Sequence, residues 1–388
     1  MTAVTTSPRD SGSPTASVEV LPKHLVLEHA GAVMRFHHVW LRDNCGCAQC
    51  RVIESGERAL FTASIPDDIA VRHAHADAET GLLAVEFTDG HSARYGFSWL
   101  HEHDYSSGSR SGPEPILWDA GLAQVPSFSH AEVVGTTAGQ VAYLEAVRDY
   151  GVALITETPC ETGEVERFAS FIGHLRETAF DRIHEVRFDP DGYNVAHTAR
   201  ELKPHTDLPG YQWPPSIQLL HVLTNEAIGG ETVLVDGWSV LAELRRRDAE
   251  AFALLTGIPL TFSLFNDREV IQGTAPMVLL DPAGNVRLFR FSNQLAHPID
   301  ASFDDMDAFY RAYRLLGRLL DSAEHQVSFR AKAGDLITVH GHRVLHGRRS
   351  FDPTTGARWL QDAYLEYDDL MDRLLVLQGR HIPSSPDR

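Results

Sequence analysis

The sequence is poor in cysteine and in basic residues, and it has no long apolar run. Its four cysteines cannot form the dense disulfide framework of a small secreted protein. Acidic residues outnumber Lys and Arg by 53 to 34, and the net charge of −19 disfavours nucleic acid and anionic membranes as partners. No apolar stretch could span a bilayer, and the first residues lack a signal core. We therefore expect a cytoplasmic protein that binds neither membranes nor nucleic acid.

The rest of the composition is that of an ordinary globular protein with more than one core. Hydrophobic residues make up 43% and charged residues 22% of the 388 positions, a length that favours two domains. Low apolar content predicts a disordered tail at the start, and Ser, Gly and Pro predict a linker. The predicted segments are a tail over 1–17, a small β-rich domain over 18–103, a linker over 104–117 and a second domain over 118–388.

Local patterns give a coarse secondary structure for both domains. In the small domain, residues 33–40 read as a strand, and Asp89-Gly90 between two alternating runs predicts a hairpin over 82–97. In the second domain the predicted helices are 137–150, 163–175, 240–255 and 306–323. The predicted strands there are 152–155, 217–223, 233–235, 359–367 and one that follows the turn at 334–335. Together these patterns predict a mostly β protein with helices.

The first candidate site is His205-Thr206-Asp207 with a distant partner, His346. On an extended strand, side chains at positions i and i+2 point the same way, so His205 and Asp207 can contact one ion together. His346 offers a third ligand. Two imidazoles and one carboxylate leave part of the metal open, which suits non-haem Fe(II) oxygen chemistry. These three residues are our candidate iron ligands and catalytic centre.

A second candidate metal site lies where three thiols fall within six residues, at Cys45, Cys47 and Cys50. Clustered thiols in a cytosolic chain indicate zinc, and a closed tetrahedral zinc site needs a fourth ligand. A small domain has a limited core, which a bound metal would stabilise. The alternative is a set of buried or free thiols without a metal.

Several motifs together resemble a known family. His-Thr-Asp at 205–207, Gly-Gly-Glu-Thr at 229–232, Gly-Asp-x-Ile-Thr-x-His at 334–340 and Leu-His-Gly-Arg-Arg-Ser at 345–350, followed by Arg358, resemble the taurine dioxygenase-like superfamily of Fe(II)/2-oxoglutarate oxygenases. The stretch Trp-Leu-Arg-Asp-Asn-Cys-Gly-Cys-Ala-Gln-Cys at 40–50 is similar to the gamma-butyrobetaine and trimethyllysine hydroxylase branch. The resemblance covers the chain from about residue 17 to 380.

The resemblance implies a fold and a set of cofactors. It implies a double-stranded β-helix, or jelly roll, for the catalytic domain and a small zinc-binding N-terminal domain. The implied cofactors are Fe(II), 2-oxoglutarate and Zn(II), with O2 as co-substrate and ascorbate as a supporting reductant. Relatives of this branch are commonly homodimers, so we expect a homodimer here.

The resemblance also implies roles for individual residues. Arg358 matches the arginine that binds the far carboxylate of 2-oxoglutarate, with Arg348 and Arg349 as alternatives. Thr232 matches a hydroxyl that helps to hold the co-substrate, and the alternative is a simple turn residue. His91, after the Asp-Gly turn, matches the fourth zinc ligand. Four nearby histidines compete for that position: His73, His75, His101 and His103.

The substrate positions differ from those of the branch, where aromatic rings surround a trimethylammonium group. The matching positions here, two of which are histidine, are Phe180, His184, His197 and Tyr364. A protonated histidine would repel a quaternary ammonium. We therefore expect a small zwitterionic or anionic metabolite, and the alternative is a betaine or trimethyllysine hydroxylase with an altered cage. Three candidates to hold an anionic group are Asn194, Arg290 and Asn293.

Three classes of function are consistent with these residues. The first is an oxygenase that hydroxylates an unactivated C–H bond and converts 2-oxoglutarate to succinate and CO2. The second is a zinc hydrolase built on the same three ligands, which leaves Arg358 without a role. The third is a non-catalytic jelly roll that binds a ligand. The presence of all three metal ligands disfavours the non-catalytic class, and the hydrolase also leaves the Gly-Gly-Glu-Thr turn without a role. We therefore expect the oxygenase.

Overall fold

The computed structural model describes residues 15–106, 113–190, 194–265 and 270–379. The chain divides into two compact units, and the second begins at Pro113. Residues 1–14 of the predicted tail and residues 107–112 of the predicted linker lie outside the described residues. No helix in the described ranges is both long and apolar enough to cross a membrane.

The first unit consists of two antiparallel three-stranded sheets, β1-β2-β3 and β4-β5-β6, and two short helices. Its elements are β1 Ala16–Val20, β2 His24–His29, β3 Ala32–His37, α1 His38–Asp43, β4 Val71–Asp77, β5 Leu82–Phe87, β6 Ser92–Gly96 and α2 Phe97–Glu102. The predicted hairpin over 82–97 is confirmed as β5 and β6, and Gly90 adopts the left-handed φ of 85° that its turn requires.

Two predictions for this unit need correction. Ala16 and Ser17, assigned to the disordered tail, begin β1 and pair with His29 and Glu28, because strand pairing uses backbone groups and needs little apolar mass. The predicted strand 33–40 ends at His37, and its last residues belong to α1. A short apolar run does not distinguish a strand from one helical turn, and here Leu41 is buried from the helix.

The second unit carries the remaining elements. Its helices are α3 His130–Gly135, α4 Thr137–Tyr150, α5 Glu164–Ala169, α6 Gly237–Arg247, α7 Ala249–Gly257, α8 Phe303–Leu320 and α9 Tyr367–Leu377. Its strands are β7 Ser127–Ser129, β8 Val152–Thr156, β9 His184–Arg187, β10 Leu202–His205, β11 Ile217–Asn225, β12 Ile228–Gly229, β13 Thr232–Asp236, β14 Pro259–Phe265, β15 Val270–Pro276, β16 Val278–Leu280, β17 Val286–Phe289, β18 Gln326–Phe329, β19 Leu336–His340, β20 Val344–Arg348, β21 Phe351–Asp352 and β22 Arg358–Leu365.

Two main sheets face each other across the centre of this unit. One has six strands in the order β7-β8-β19-β11-β22-β9, and the other has four in the order β10-β20-β13-β18. Leu234 and Val344 of the smaller sheet share an apolar cluster with Val222 and Ile337 of the larger one. Helices α4, α5 and α9 pack on the outer face of the larger sheet, and α6, α7 and α8 pack with the outer face of the smaller one. The prediction of a mostly β protein with helices is confirmed.

Helix boundaries follow local capping. The helix predicted at 137–150 is found at those residues, and Gly151 ends it with a φ of 72°. The predicted helix 240–255 is instead two helices, because the Asp248 side chain accepts a hydrogen bond from the Ala251 N–H and starts α7. The helix predicted at 163–175 is shorter and ends at Ala169.

Arg343 and Asp236 form an ion pair whose side chains are both 0% exposed. Arg343 donates through Nε and NH2 to the two oxygens of Asp236, at 3.1 and 2.8 Å. Its remaining hydrogens reach the carbonyls of Asp149 and Ile116. Asp236 also accepts from the Trp238 backbone N–H at the start of α6. The pair therefore joins four segments that are far apart in sequence.

We expect Arg343→Leu to lower the free energy of unfolding by about 3–5 kcal/mol, because it leaves Asp236 buried without its cation. Chemical denaturation measures the change. Arg314 is an exposed arginine of α8, and Arg314→Leu is the matched control, with an expected change within about 0.5 kcal/mol. Equal effects of the two substitutions would contradict the role assigned to the buried pair.

Candidate functional site

A cavity of about 510 Å³ lies between the two sheets of the second unit. The larger sheet contributes residues of β9, β11, β19 and β22 to its wall, and the smaller sheet contributes residues of β10, β13 and β20. The hairpin end at 263–265 and the segment 294–297 complete the wall. The cavity is large enough for small metabolites.

Strand pairing brings the three candidate iron ligands together in this cavity. His205 of β10 is the direct partner of His346 on β20, and their ring centroids lie 4.5 Å apart. Asp207 lies beyond the end of β10, so the sequence argument that placed both motif residues on one extended strand is wrong. Asp207 is instead followed by Leu208 in a left-handed turn with φ of 48°. A non-glycine residue in that region marks backbone held by its surroundings, often at a functional site.

The donor atoms of these residues converge on one point. His205 Nε2 lies 3.3 Å from Asp207 Oδ1, and His346 Nε2 lies 3.8 Å from Asp207 Oδ2. One ligand atom from each of the three lies within 4.8 Å of the others. His205 Nδ1–H donates to the Lys203 carbonyl at 2.9 Å, which leaves Nε2 with its lone pair toward the cluster. The arrangement fits a metal ion held from one side.

The charge states of the cluster also suit a metal. Burial lowers the pKa of His346 to about 4, so its imidazole is neutral near pH 7. Burial alone would raise the pKa of Asp207, but His346, His205 and the Tyr364 hydroxyl outweigh it and lower that pKa. A neutral imidazole and a carboxylate are the forms that ligate Fe(II).

A second carboxylate, Asp362, lies beside the first and was missed by the sequence analysis. Gln218 Nε2 donates to Oδ2 of both Asp207 and Asp362, at 2.6 and 3.0 Å. The Tyr364 hydroxyl contacts the same two oxygens at 2.8 and 2.9 Å. The spacing in the sequence could have identified Asp362, because positions 362 and 364 of one strand share a face and Tyr364 was already a candidate. Burial raises the pKa of Asp362.

The structure distinguishes the three candidate arginines. Arg348 donates to the carbonyls of Ala196, Thr198 and Arg200, and Arg349 is paired with Glu201. Arg358, the first residue of β22, lines the cavity, and its Nε has no hydrogen-bond partner among the described residues. Burial, together with the charges of Arg348 and Arg330, lowers the pKa of Arg358 to about 9. An incoming carboxylate would compensate this buried charge.

Thr232 is the neighbour of Arg348 across the smaller sheet. It is the first residue of β13, is 9% exposed and lines the cavity. Thr232 therefore lies on the wall of the same cavity as Arg358, a position that a simple turn residue would not need.

Four of the predicted substrate residues line the cavity: Phe180, His184, Asn194 and Tyr364. The His184 ring stacks on Phe180 with a centroid distance of 4.5 Å and an interplanar angle of 10°. His197 stands behind His184, with 3.2 Å between their Nε2 atoms. Burial and the neighbouring His184 lower the pKa of His197. A lowered pKa disfavours the protonated form of His197, so the argument that this residue would repel a cationic substrate loses its support.

Like His197, the predicted substrate residues Arg290 and Asn293 are not in the cavity wall, and for these two the prediction is corrected. Arg290 is 4% exposed and its NH2 donates to the Gln212 carbonyl at 2.6 Å. Asn293 is exposed, and its Oδ1 accepts a hydrogen bond from the Tyr313 hydroxyl. Both side chains form hydrogen bonds with residues that the spacing along the sequence does not reveal.

The first unit contains a separate cluster made by Cys45, Cys47, Cys50 and His91. His91 Nε2 lies 3.2, 3.6 and 3.7 Å from the three sulfurs, in that order. The competing histidines at 73, 75, 101 and 103 are not part of the cluster. Three sulfurs and one imidazole nitrogen form the donor set of a closed tetrahedral zinc site.

The surroundings of this cluster favour metal binding. Burial raises the pKa of Cys45, and crowding by Cys47 and Cys50 adds to the effect, so the thiolates need a cation to coexist. Burial also lowers the pKa of His91, which keeps its imidazole neutral. Arg42 donates to Cys50 Sγ at 3.3 Å and to Asp89 at 2.7 Å, which ties the cysteine loop to the turn before His91.

Comparisons with known proteins find relatives of one enzyme family along most of the chain. Residues 123–364 match the model of the taurine catabolism dioxygenase TauD, TfdA family, and residues 22–101 match the gamma-butyrobetaine hydroxylase-like N-terminal family. Gamma-butyrobetaine dioxygenase of Pseudomonas sp. (strain AK-1) is 35% identical over 90% of this chain and 92% of that protein. Mitochondrial trimethyllysine dioxygenase of Mus musculus is 33% identical over 92% and 86%. The crystal structure of a taurine dioxygenase from Burkholderia xenovorans aligns with 65% of this chain and 89% of its own, at 16% identity and a TM-score of 0.47.

We expect His346→Ala to weaken divalent metal binding in the second unit by more than about a hundredfold, because it removes one of three donor atoms. Titration with Mn(II) under O2-free conditions, followed by electron paramagnetic resonance of the free ion, measures the affinity. His297 also lines the cavity but is outside the cluster, so His297→Ala is the matched control. Unchanged affinity in His346→Ala would remove His346 from the site.

Proposed function

The chain belongs to the taurine catabolism dioxygenase TauD, TfdA family, and we propose that it hydroxylates a small polar metabolite while 2-oxoglutarate becomes succinate. As a member of this family it is a dioxygenase that depends on Fe(II) and 2-oxoglutarate. The observation that carries the residue assignment is the half-buried Arg358, whose Nε has no hydrogen-bond partner among the described residues, in the same cavity as the His-Asp-His cluster. A zinc hydrolase would have no use for that cation.

In this proposal His205, Asp207 and His346 hold Fe(II). When bound, iron and 2-oxoglutarate supply the oxidative chemistry, in which O2 gives one oxygen atom to succinate and one to a C–H bond, with release of CO2. The Lys203 carbonyl fixes the tautomer of His205, and Gln218 and Tyr364 hold the Asp207 carboxylate in place. These contacts orient the ligands before the metal arrives.

Arg358 is proposed to bind the far carboxylate of 2-oxoglutarate. A guanidinium suits a carboxylate because it donates two parallel hydrogen bonds. Arg348 is occupied by three backbone carbonyls and therefore shapes this end of the cavity without forming an ion pair. Thr232 is proposed to donate its hydroxyl to the same co-substrate. Leu360 and Ile337 line the wall and exclude water from it.

The substrate has two candidate classes. Phe180, His184, Asn194 and Tyr364, with His197 behind them, are proposed to contact a small polar metabolite. The names of the similar proteins favour a second candidate, a betaine or trimethyllysine type of substrate. The lowered pKa of His197 removes one objection to a cationic substrate.

Four further features remain proposals. The two facing sheets of the second unit are consistent with a double-stranded β-helix. The Cys-Cys-Cys-His cluster is proposed to bind one zinc ion that stabilises the first unit. Support of turnover by ascorbate and assembly as a cytoplasmic homodimer are carried over from the resemblance.

The experiment that tests the function is succinate formation from 2-oxoglutarate with Fe(II), ascorbate and O2, against a panel of small metabolites. The panel contains betaines, basic amino acids, amino-phosphonates and amino-sulfonates. Strong stimulation by one compound, with an oxygenated product found by mass spectrometry, would support the oxygenase and identify its substrate class. A protein that binds neither iron nor 2-oxoglutarate would contradict the proposal.

We expect Arg358→Ala to raise the KM for 2-oxoglutarate by at least about thirtyfold, because a buried carboxylate loses its paired cation. Steady-state kinetics at saturating substrate measure the change. Arg349, paired with Glu201 and absent from the cavity wall, provides the matched control Arg349→Ala. If Arg349→Ala raised the KM and Arg358→Ala did not, the co-substrate role would move to Arg349.

We expect Cys47→Ser to reduce bound zinc well below one ion per chain and to lower the unfolding temperature, because a tetrahedral site loses one of four ligands. Elemental analysis and thermal denaturation measure both effects. Cys160, an exposed thiol of the second unit, provides the control Cys160→Ser. Full zinc content in Cys47→Ser would favour the interpretation of free thiols.

A further inference from the structure

Asp362 is part of the cavity wall, and one of its two carboxylate oxygens lacks a hydrogen-bond partner among the described residues. Asp362 is 3% exposed, and it lines the cavity beside the His-Asp-His cluster. Its Oδ2 receives Gln218 and Tyr364, whereas its Oδ1 has no hydrogen-bond partner among the residues that the structure describes. A buried carboxylate oxygen without a donor is costly. A ligand that carries a hydrogen-bond donor would remove this cost.

Among the residues that the structure describes, the nearest group that can carry a positive charge is His184, which lowers the pKa of Asp362 against the larger effect of burial. His184 Nδ1 is 3.9 Å from Asp362 Oδ2, which is too long for a hydrogen bond, and it does not reach Oδ1. Arg358 is on the same strand but four residues away, about 13 Å along an extended chain. Arg290, expected to line this region, is turned to the Gln212 carbonyl. The cavity therefore has a cationic end at Arg358 and an anionic wall at Asp362.

The side chains around Asp362 also suit a cation. Phe180 and His184 form a parallel stack on the cavity wall, and the Tyr364 ring lies on the same face of β22 as Asp362. Aromatic faces attract a cation, and the Phe180 ring brings no group that competes for the hydrogen bonds of the carboxylate. His197, which stands behind the stack, has a lowered pKa and adds no positive charge when neutral.

We propose that Asp362 binds an ammonium group of the substrate that carries at least one N–H, and so selects a primary or secondary amine over a quaternary ammonium. The inference rests on the proposed function and names the substrate class of that site. Oδ1 itself has almost no exposed surface, so the carboxyl group must turn about χ2, a broad torsion for aspartate, to meet a donor in the cavity. An amine N–H gives Asp362 the missing hydrogen bond, whereas a trimethylammonium group has no hydrogen to donate.

This placement also positions the substrate for reaction. The Tyr364 hydroxyl contacts Oδ2 of both Asp362 and Asp207, so these two oxygens lie within about 6 Å of each other. An ammonium group held at Asp362 brings the carbons nearest to the nitrogen close to the iron ligands. The C–H bond attacked is therefore one near the amine, and the far end of the substrate is directed away from Asp362.

The test uses pairs of compounds that differ only in methylation of the nitrogen: γ-aminobutyrate with γ-butyrobetaine, and lysine with Nε-trimethyllysine. Isothermal titration calorimetry of the O2-free protein with Mn(II) and 2-oxoglutarate measures binding without turnover. For the wild-type protein we expect the amine of at least one pair to bind at least about tenfold more tightly than its trimethylated partner. Asp362→Asn should weaken amine binding by at least about thirtyfold and reduce the preference toward unity.

Glu185→Gln is the matched control, because Glu185 is a carboxylate of the neighbouring strand β9 that is outside the cavity wall. It makes the same change from carboxylate to amide, and its preference between the paired compounds should equal that of the wild-type protein. Circular dichroism compares the fold of the variants. The wild-type preference requires no substitution, so it tests the inference even if Asp362→Asn does not fold.

Three results would overturn the inference: equal or tighter binding of the trimethylated partners by the wild-type protein, an undiminished preference in Asp362→Asn, or no binding by any amine of the panel. Succinate formation with the same compounds tests the proposed function separately. Turnover without a preference for amines contradicts only the inference. A preference in binding without turnover of the same compounds supports the inference, and the wider metabolite panel of the succinate assay then tests the oxygenase.

Discussion

The buried ion pair of Arg343 and Asp236 is the constraint on which the centre of the second unit depends. Both groups are out of water, so each needs the other and the backbone groups around them. Asp236 ends β13 and starts α6, and Arg343 directly precedes β20, whose first residue pairs with Asp236. The pair thereby fixes the register of the two central strands of the smaller sheet. That register places His346 of β20 opposite His205 of β10.

Charge is distributed unevenly around the cavity that these strands enclose. At one end, within the described part of the chain, the half-buried Arg358 has an Nε without a hydrogen-bond partner, and the guanidinium of Arg348 donates to backbone carbonyls. At the other end two carboxylates, Asp207 and Asp362, share the donors Gln218 and Tyr364. Charged groups of this kind are typical of binding sites, where a ligand supplies the missing counterion or hydrogen bond. The cavity is therefore prepared for a metal, an anion at one end and a cation at the other.

The sequence analysis was most successful where a short segment contains its own signal. The helix at 137–150 has its cap in Gly151, and the hairpin at 82–97 has its Asp-Gly turn, so both were predicted from neighbouring residues. The family was also evident from short motifs at fixed spacing. Reasoning from the motif alone failed for Asp207, which was placed on a strand that ends at His205. The residues of the motif were right, but the local geometry assumed for them was wrong.

By itself, the sequence determined the kinds of chemistry available: imidazole and carboxylate at 205, 207 and 346, clustered thiols at 45–50 and the resemblance to an oxygenase family. Only the tertiary structure decided which arginines already have partners, because Arg348 and Arg349 meet groups about 150 positions away. It also decided that Arg290 and Asn293 leave the cavity wall and that Asp362 joins it. Burial and hydrogen-bond partners depend on contacts between distant segments, and spacing along the chain does not contain them.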